Sequence, residues 1–440
     1  MFELHVALVG LLVGTQALFT ALAVLNVRHS ERELRDNAEW LRESLGLSEP
    51  ERNADYLRLG TGIGQLESWV FLGAALLVLY SGLYRDAVAF VAGLGLGPLL
   101  EGVVLLVGLV VLTQLASVPF GLVRTFVVEE LFEFNQQTLG LWARDQLIGL
   151  VVSIALVAVL GGGILLAIDA LGALWPVAGV ALIAAVSLLM LVLVPQVIMP
   201  LQYDFTPIED GELRDAVESV FERAGFTCEG IFEVELSSHT TKSNAFFMGF
   251  GPAKRVGLGD TLIERHDLDE IESVLAHELG HYRLRHIWKR LGAMLVRYGV
   301  SLTVLAVLLE QPWLTAMFGL PATDYAALLT ASIWLWPVSR LAAPLDNRLS
   351  IRHEYQADAF AAETTGDPRA EMRALAKLEE DNLGNPFPHP WYELVHYDHP
   401  PIPKRVRAVG ERFLDGADVE EVVGGRDDDH ATADAGTQPS

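Results

Sequence analysis

Long apolar runs separated by polar, charge-bearing segments dominate the 440-residue chain. A helix needs about 20 consecutive apolar residues to cross the hydrocarbon core of a bilayer. By this criterion the sequence predicts a mainly α-helical, polytopic membrane protein with about seven transmembrane helices. The predicted spans are residues 4–27, 68–83, 99–118, 146–171, 174–198, 291–309 and 325–345. The bounds of the second stay open, because residues 88–96 are apolar as well.

Arginine and lysine positions predict the orientation of these spans, since cytoplasmic loops are enriched in both residues. The loop 28–67 holds six arginines, and segments 119–145 and 200–290 hold more, whereas the alternate loops are nearly bare. We therefore expect a multi-pass protein of the cell membrane. Its N-terminus would lie outside, and its soluble segments and C-terminus in the cytoplasm.

The order of apolar and polar segments predicts five regions. They are a membrane domain of about five helices at 1–199, a soluble part at 200–290, two spans at 291–345, a second soluble part at 346–415, and an acidic tail at 416–440 that we expect to be disordered.

Within the soluble parts, the patterns predict further helices and strands. Asp267 and Glu270 form a capping box that would begin one long helix. The other predicted elements are helices at 212–224, 351–364, 368–382 and after Pro403, and short strands near 230–236, 244–250 and 255–258.

The composition of the chain excludes some classes of function. The chain is 51 % hydrophobic and 20 % charged, with a net charge of −25. Such an acidic balance argues against nucleic-acid binding. Only five of the basic residues are lysines, a balance typical of a protein from a high-salt cytoplasm. The single cysteine, Cys228, rules out an intrachain disulfide.

The strongest chemical signal is His277-Glu278-Leu279-Gly280-His281 within the long predicted helix. Histidines at i and i+4 share one helical face and can bind a single zinc ion, with Glu278 beside a bound water. Zinc needs a third protein ligand. We expect Glu354 to supply it and Asp358, one turn later, to orient a ligand imidazole, whereas His286 is expected to face elsewhere. The alternative is a helix with surface histidines and an ordinary exposed acidic pair.

Several segments together resemble the M48 family of integral-membrane zinc metallopeptidases, in its Ste24 or CAAX prenyl protease 1 branch. The similarity spans roughly residues 110–410. Ile351, Asp398 and Lys404 depart from the family pattern, which leaves the fit of substrate around the cleft open. The segments that carry the resemblance are 274–281, Asn347 with Ser350, Arg352 and 354–360, 243–247 with 260–262, 396–401 with Arg405, 126–138, and 205–208.

The resemblance implies a gluzincin-like α+β protease domain on the cytoplasmic side, with one zinc ion per chain. The zinc ligands would be His277, His281 and Glu354. Glu278 would act as general base, and His399 would hydrogen-bond the oxyanion, with His396 as the second candidate for that role.

The resemblance also implies where substrate binds. Asn244 and Ala245 would begin an edge strand that pairs with the substrate backbone. Arg340 would line a membrane chamber and meet a substrate carboxylate, although snorkelling explains Arg340 and Arg297 equally well. The expected partners are the lipid bilayer and a peptide or protein substrate, prenylated or otherwise membrane-associated, that loses C-terminal residues.

Two other functions are compatible with parts of the sequence. One is a heat-shock-type M48 protease for membrane-protein quality control, which the long N-terminal set of spans argues against. The other is a non-enzymatic transporter whose histidines bind a passing cation. A transporter would place its polar residues at mid-span, whereas the metal residues here lie in soluble-like segments.

Overall fold

The structure, a computed structural model, describes residues 1–248 and 253–414. The predicted acidic tail at 416–440, and positions 249 and 250 of the predicted strand 244–250, lie outside the described residues. The helices in chain order are α1 (Phe2–Asp36), α2 (Ala38–Leu45), α3 (Pro50–Tyr80), α4 (Leu83–Ala92), α5 (Pro98–Val123), α6 (Leu139–Leu171), α7 (Trp175–Leu193), α8 (Met199–Gln202), α9 (Glu212–Ala224), α10 (Asp260–Arg265), α11 (Leu268–Arg283), α12 (His286–Leu309), α13 (Trp313–Ala316), α14 (Asp324–Leu341), α15 (Ala343–Thr365), α16 (Pro368–Asn382), α17 (Pro390–His396) and α18 (Ile402–Phe413).

The remaining elements are shorter. Two π-helical turns, Arg124–Glu129 and Val194–Ile198, follow α5 and α7, and a 3-10 turn, Gly172–Leu174, joins α6 to α7. The strands are β1 (Phe205–Pro207), β2 (Thr227–Val234), β3 (Ala245–Met248) and β4 (Ala253–Gly259).

Within the described residues, five helical stretches are long and apolar enough to cross a membrane, and one bent helix pair raises the number to six. The longest stretch, Leu139–Gln202, folds back on itself at the 3-10 turn, so that Gly163 of α6 lies directly against Leu182 of α7. It therefore contains two of the predicted spans. Most of the apolar segment 88–96 falls in α4, which has ten residues and is too short to cross the hydrocarbon core.

The membrane helices form a closed ring. Helix α1 contacts α3, and α3 contacts α5 both directly and through α4. The ring continues through α6, α7, α12 and α14, and α14 returns to α1. Its buried apolar core, which includes Tyr84, Leu165, Leu302 and Tyr325, lies at the end of the spans far from α11. The helices therefore pack together at that end.

The expectation that residues 28–67 form a loop is wrong. Helix α1 continues to Asp36, α2 follows, and α3 begins at Pro50. Leu34, Leu41 and Leu45 of this extension are buried against apolar side chains of α16 and α18. Hydrophobic packing therefore extends the first two membrane helices and joins the membrane half to the soluble half.

The soluble half is a four-stranded sheet covered by helices. The strand order is β1-β2-β4-β3, with β2 and β4 parallel and the outer pairs antiparallel. Strand β3 is therefore an edge strand. Apolar side chains of α9 and α11, including Val217 and Leu275, pack with Ile231 and Leu258 of the sheet.

Several predicted soluble elements are confirmed. Helices α9 and α16 have the predicted bounds. Helix α11 begins after Asp267 with the expected capping box, in which the Asp267 amide donates to the Glu270 carboxylate at 3.1 Å. Helix α15 follows α14 after a bend of 43°, so the last membrane helix leads directly into the soluble half.

Candidate active site

Three candidate metal ligands converge from two helices. The Nε2 atoms of His277 and His281 on α11 lie 3.0 Å apart. Glu354 on α15 places its carboxylate oxygens 3.6 Å from His277 Nε2 and 3.4 Å from His281 Nε2. Tetrahedral zinc lies about 2.0–2.1 Å from each nitrogen or oxygen ligand, which places the ligand atoms about 3.3 Å apart. The three residues therefore fit a zinc ion.

A glycine brings the two helices close enough for this arrangement. A Cβ on Gly280 would lie 3.1 Å from the Phe360 ring and 3.2 Å from the Cα of Ala357. These distances are tight for any side chain, so glycine lets α11 pack directly on α15. The histidine pair and Glu354 can reach a common point because of this close approach.

Buried charges fix the orientation of His277. Its Nδ1 lies 2.9 Å from a carboxylate oxygen of Asp358, and Arg405 donates to that carboxylate at 2.5 and 3.0 Å. Burial lowers the pKa of His277, but hydrogen bonds with Asp358 and Glu354 outweigh it and raise the pKa to about 10. Without a metal, His277 is therefore protonated on both ring nitrogens at neutral pH. A zinc ion would displace the Nε2 proton, while Asp358 keeps the proton on Nδ1 and so directs Nε2 towards the candidate metal position.

The expectation that His286 faces elsewhere is wrong. His286 is buried, with its Nδ1 3.1 Å from Nδ1 of His281 and its Nε2 3.0 Å from the side-chain oxygen of Gln356. Its ring also stacks on His353 at a centroid distance of 4.0 Å.

Burial and the neighbouring His277 lower the pKa of His281 to about 3, so His281 is neutral, as metal ligation requires.

Glu278 faces a cavity of about 920 Å³ beside the ligands. Burial raises the pKa of its carboxyl group above the ordinary value. Most of the facing wall comes from the membrane half, where α7 and the π turn after it contribute apolar side chains such as Met190, Leu191 and Val194. The cavity thus joins a polar catalytic wall to an apolar membrane wall.

Of the two candidate oxyanion donors, His399 lies in the site. Its Nε2 is 3.4 Å from a carboxylate oxygen of Glu354, and its Nδ1 is 3.0 Å from Asp398. The hydrogen bond with Asp398 raises the pKa of His399 above its ordinary value. His396 instead stacks on Tyr392 at a centroid distance of 3.9 Å.

The predicted substrate residues fall in two places. Ala245 lines the cavity, and the Asn244 side chain accepts a hydrogen bond from the Ala245 amide at 2.9 Å. Arg340 does not line this cavity. It donates to the Gln16 side chain at 3.1 Å and stacks over Phe19 at 3.9 Å.

Arg340 also lies far from the ligands along the chain. Glu354 lies fourteen positions after it, which corresponds to about 21 Å measured along the axes of α14 and α15. The structure therefore separates Arg340 from the other site residues. Its guanidinium group bonds sideways to α1 instead of extending along its own helix.

Sequence reasoning missed several site residues. Arg405 was noted only as part of a resemblance, without a role. Glu371 is buried beside His277 and accepts a hydrogen bond from Ser273 at 2.6 Å. Burial and the nearby Asp358 raise the pKa of Glu371. An isolated glutamate or arginine on an amphipathic helix has no spacing pattern that marks it, so only the packing of α16 and α18 identifies these residues.

Comparisons with known proteins give matches in both halves of the chain. Residues 207–413 match the family model for Peptidase family M48, and residues 26–203 match the model for the CAAX prenyl protease N-terminal region of five membrane helices. The chain is 34 % identical to a CAAX prenyl protease 1 homolog of Oryza sativa subsp. japonica, over 71 % of this chain and 73 % of that protein. It is 32 % identical to CAAX prenyl protease 1 of Saccharomyces cerevisiae, over 68 % and 69 % of the two chains.

A solved structure shares the fold. The crystal structure of S. mikatae Ste24p superposes with a TM-score of 0.83 and covers 91 % of this chain and 98 % of that chain, at 24 % sequence identity.

Proposed function

Because this chain belongs to peptidase family M48 and is a membrane zinc metalloprotease of the Ste24 type, we propose that His277, His281 and Glu354 hold one zinc ion per chain. The observation that carries the proposal is the 3.0–3.6 Å spacing of their ligand atoms. The family assignment replaces the transporter hypothesis.

The residues of the site have separate roles in peptide hydrolysis. A bound zinc ion would acidify a water molecule and polarise the scissile carbonyl. Glu278 takes the proton from the attacking water and then delivers it to the leaving amine. His399 donates a hydrogen bond to the developing oxyanion of the substrate, and loss of one such donor typically lowers kcat about 10²–10³-fold. Asp358, held by Arg405, keeps His277 in the ligating tautomer.

The proposed substrate is a protein segment that reaches the site from the membrane. Within the described residues β3 pairs with β4 alone, so its other edge is open to a substrate backbone, and Ala245 and Phe247 of β3 line the cavity. The named relatives are CAAX prenyl proteases. We therefore propose that the chain removes C-terminal residues from prenylated or other membrane-associated proteins.

The position of Arg340 indicates how far such a substrate would extend beyond the scissile bond. Arg340 lies about 21 Å from Glu354, measured along the axes of α14 and α15, and an extended peptide covers about 3.3 Å per residue. A substrate whose C-terminal carboxylate binds Arg340 would thus extend about six residues beyond the scissile bond.

The chain is an integral, multi-pass membrane protein. We propose in addition that it lies in the cell membrane, with its N-terminus outside and its catalytic segments and C-terminus in the cytoplasm. The arginine-rich segments 28–67 and 200–290 support this orientation.

The decisive experiment compares wild type with Glu278→Gln, purified in detergent and high salt. Glu411→Gln, an exposed glutamate on α18, serves as the matched control. Bound zinc is measured by elemental analysis, and cleavage is measured on prenylated and unmodified peptides. We expect zinc in all three proteins, and cleavage by wild type and Glu411→Gln at least about 10²-fold faster than by Glu278→Gln. Wild type without zinc would overturn the ligand assignment, and cleavage retained in Glu278→Gln would overturn the role of Glu278.

A further inference from the structure

The segment that leads into the edge strand is attached to the membrane half. We call residues 239–244 the lead-in. Thr240 forms an antiparallel bridge with Asn135, and the Thr241 amide donates to the carbonyl of Phe134 at 3.2 Å. Phe134 and Asn135 lie between the π turn after α5 and the start of α6, so the lead-in is paired with the connection between two membrane helices.

Lys242 adds a side-chain anchor to this pairing. Its ammonium group donates to the Glu129 carboxylate at 3.0 Å and to the Tyr56 hydroxyl at 2.7 Å. It also lies 4.4 Å from the centre of the Phe134 ring, within range of a cation–π contact. Tyr56 in turn donates to Glu129 at 2.7 Å. The side chains of Lys242 and Glu129 are only 28 % and 22 % exposed, so this pair is better shielded from solvent than an ordinary surface pair.

The neighbouring residues of the lead-in are fixed to the soluble half. The Ser243 hydroxyl donates to Asp381 of α16 at 2.5 Å, and Asp381 also accepts from Arg265 at 3.0 Å. The Thr261 hydroxyl donates to the Lys242 carbonyl at 2.9 Å. Successive side chains of an extended chain point to opposite sides. Lys242 therefore bonds to the membrane half and Ser243 to the soluble half, directly before β3 begins.

From this double attachment we infer that Lys242 is a positioning residue, which sets the place of β3 relative to the membrane helices so that a long substrate lies in line with the metal. The inference rests on the proposed function, because it takes β3 as the strand that receives substrate. Glu129 lies in a π turn, a rare element that is frequent at functional sites. Through Lys242, this turn is connected to substrate binding although it lies outside the catalytic cavity.

The test uses the whole protein and two peptides with the same residues around the scissile bond. The long peptide extends far enough to pair with all of β3, and the short peptide does not. Lys242→Met keeps the length of the side chain and removes the charge, and Lys242→Arg restores the charge. Arg412→Met is the control, because Arg412 also pairs with a glutamate, Glu363, and both side chains are more than half exposed.

Loss of a shielded, charged hydrogen bond predicts that Lys242→Met raises KM for the long peptide about tenfold. Its kcat, its KM for the short peptide and its zinc content should stay at the control values, and Lys242→Arg should recover most of the KM. If Lys242→Met does not fold, Glu129→Gln removes the charge partner with little change in shape, and the same shift in KM is expected.

Equal losses on both peptides, or no loss on either, would overturn the inference. Neither result would affect the proposed function, which fails only if wild type lacks zinc or the Glu278→Gln variant cleaves.

Discussion

Asp358 offers the sharpest test of how the buried charges support the metal site. Its carboxylate lies 2.9 Å from Nδ1 of His277 and receives two hydrogen bonds from Arg405, at 2.5 and 3.0 Å. Asp358→Asn keeps the size of the side chain and removes its charge. The amide oxygen can still accept from His277, but His277 becomes a weaker ligand because its partner is neutral.

The structure allows the size of the effect to be worked out. Loss of the carboxylate that orients a ligand histidine typically weakens metal binding 10–100-fold, which corresponds to about 1.4–2.7 kcal/mol. Breaking a buried ion pair typically costs about 3–5 kcal/mol. Arg405, however, keeps a second carboxylate within reach, since Glu354 lies 3.6 Å from its guanidinium group. We therefore expect the free energy of unfolding to fall by less than about 3 kcal/mol.

Zinc affinity is measured by competition with a chelator of known affinity, and stability by denaturant unfolding of the metal-free protein. Asp210→Asn is the control, since the Asp210 side chain is fully exposed. We expect a weaker zinc affinity only in Asp358→Asn, with cleavage largely restored at saturating zinc. An unchanged zinc affinity, or an equal change in the control, would refute the role assigned to Asp358.

Three further predictions follow from the geometry. Gly280→Val should separate α11 from α15, reduce the amount of bound zinc to less than one ion per chain, and lower the free energy of unfolding by about 1–3 kcal/mol. Full zinc occupancy in this variant would contradict the prediction. Burial lowers the pKa of His266, but its contacts with Asp381 and Glu270 outweigh burial and raise it. Its stabilisation is therefore present below the ordinary histidine pKa and is lost as pH rises through the raised value. The difference in thermal stability between wild type and His266→Gln should therefore shrink as the pH is raised above the ordinary histidine pKa of about 6.5, and a constant difference would contradict this. Wild type should cleave a peptide that ends in a free carboxylate about six residues beyond the scissile bond about tenfold better than the same peptide with a C-terminal amide. Arg340→Gln should remove that preference. Equal cleavage of the acid and the amide by wild type would disprove the role of Arg340.

The candidate ligands could be proposed from sequence because the histidine pair and the Glu354–Asp358 pair each show a local spacing. Two histidines four residues apart must share a helical face, and Glu354 and Asp358 obey the same rule. The position of His286 could not be predicted in this way. Helix α11 ends at Arg283, and Arg285 adopts a left-handed conformation with φ of 58°. The chain turns there, and His286 returns to His281, whereas spacing along a continuous helix would direct it away.

The other features that the sequence did not predict also depend on tertiary contacts. An apolar run shows where a helix meets lipid but not where the helix ends, so hydropathy does not distinguish the helical continuations of α1 and α3 into residues 28–67 from a loop. Strand β1 has three residues and is defined by its pairing with β2, a tertiary contact that no local pattern reports. The site of Arg340 depends on which helix lies beside α14, and a hydropathy pattern does not contain that information.

The direct passage from the last membrane helix into α15 has a mechanical consequence. Twelve residues, or about 18 Å of helix, separate Ala342 at the bend from Glu354. A change of about 5° in the 43° bend would move Glu354 by about 1.6 Å relative to the membrane helices. The histidines would move with it, because α11 packs directly on α15 at Gly280. Membrane helices tilt in response to bilayer thickness. A change of tilt in the final span would therefore shift the candidate ligands as a group against the membrane wall of the cavity.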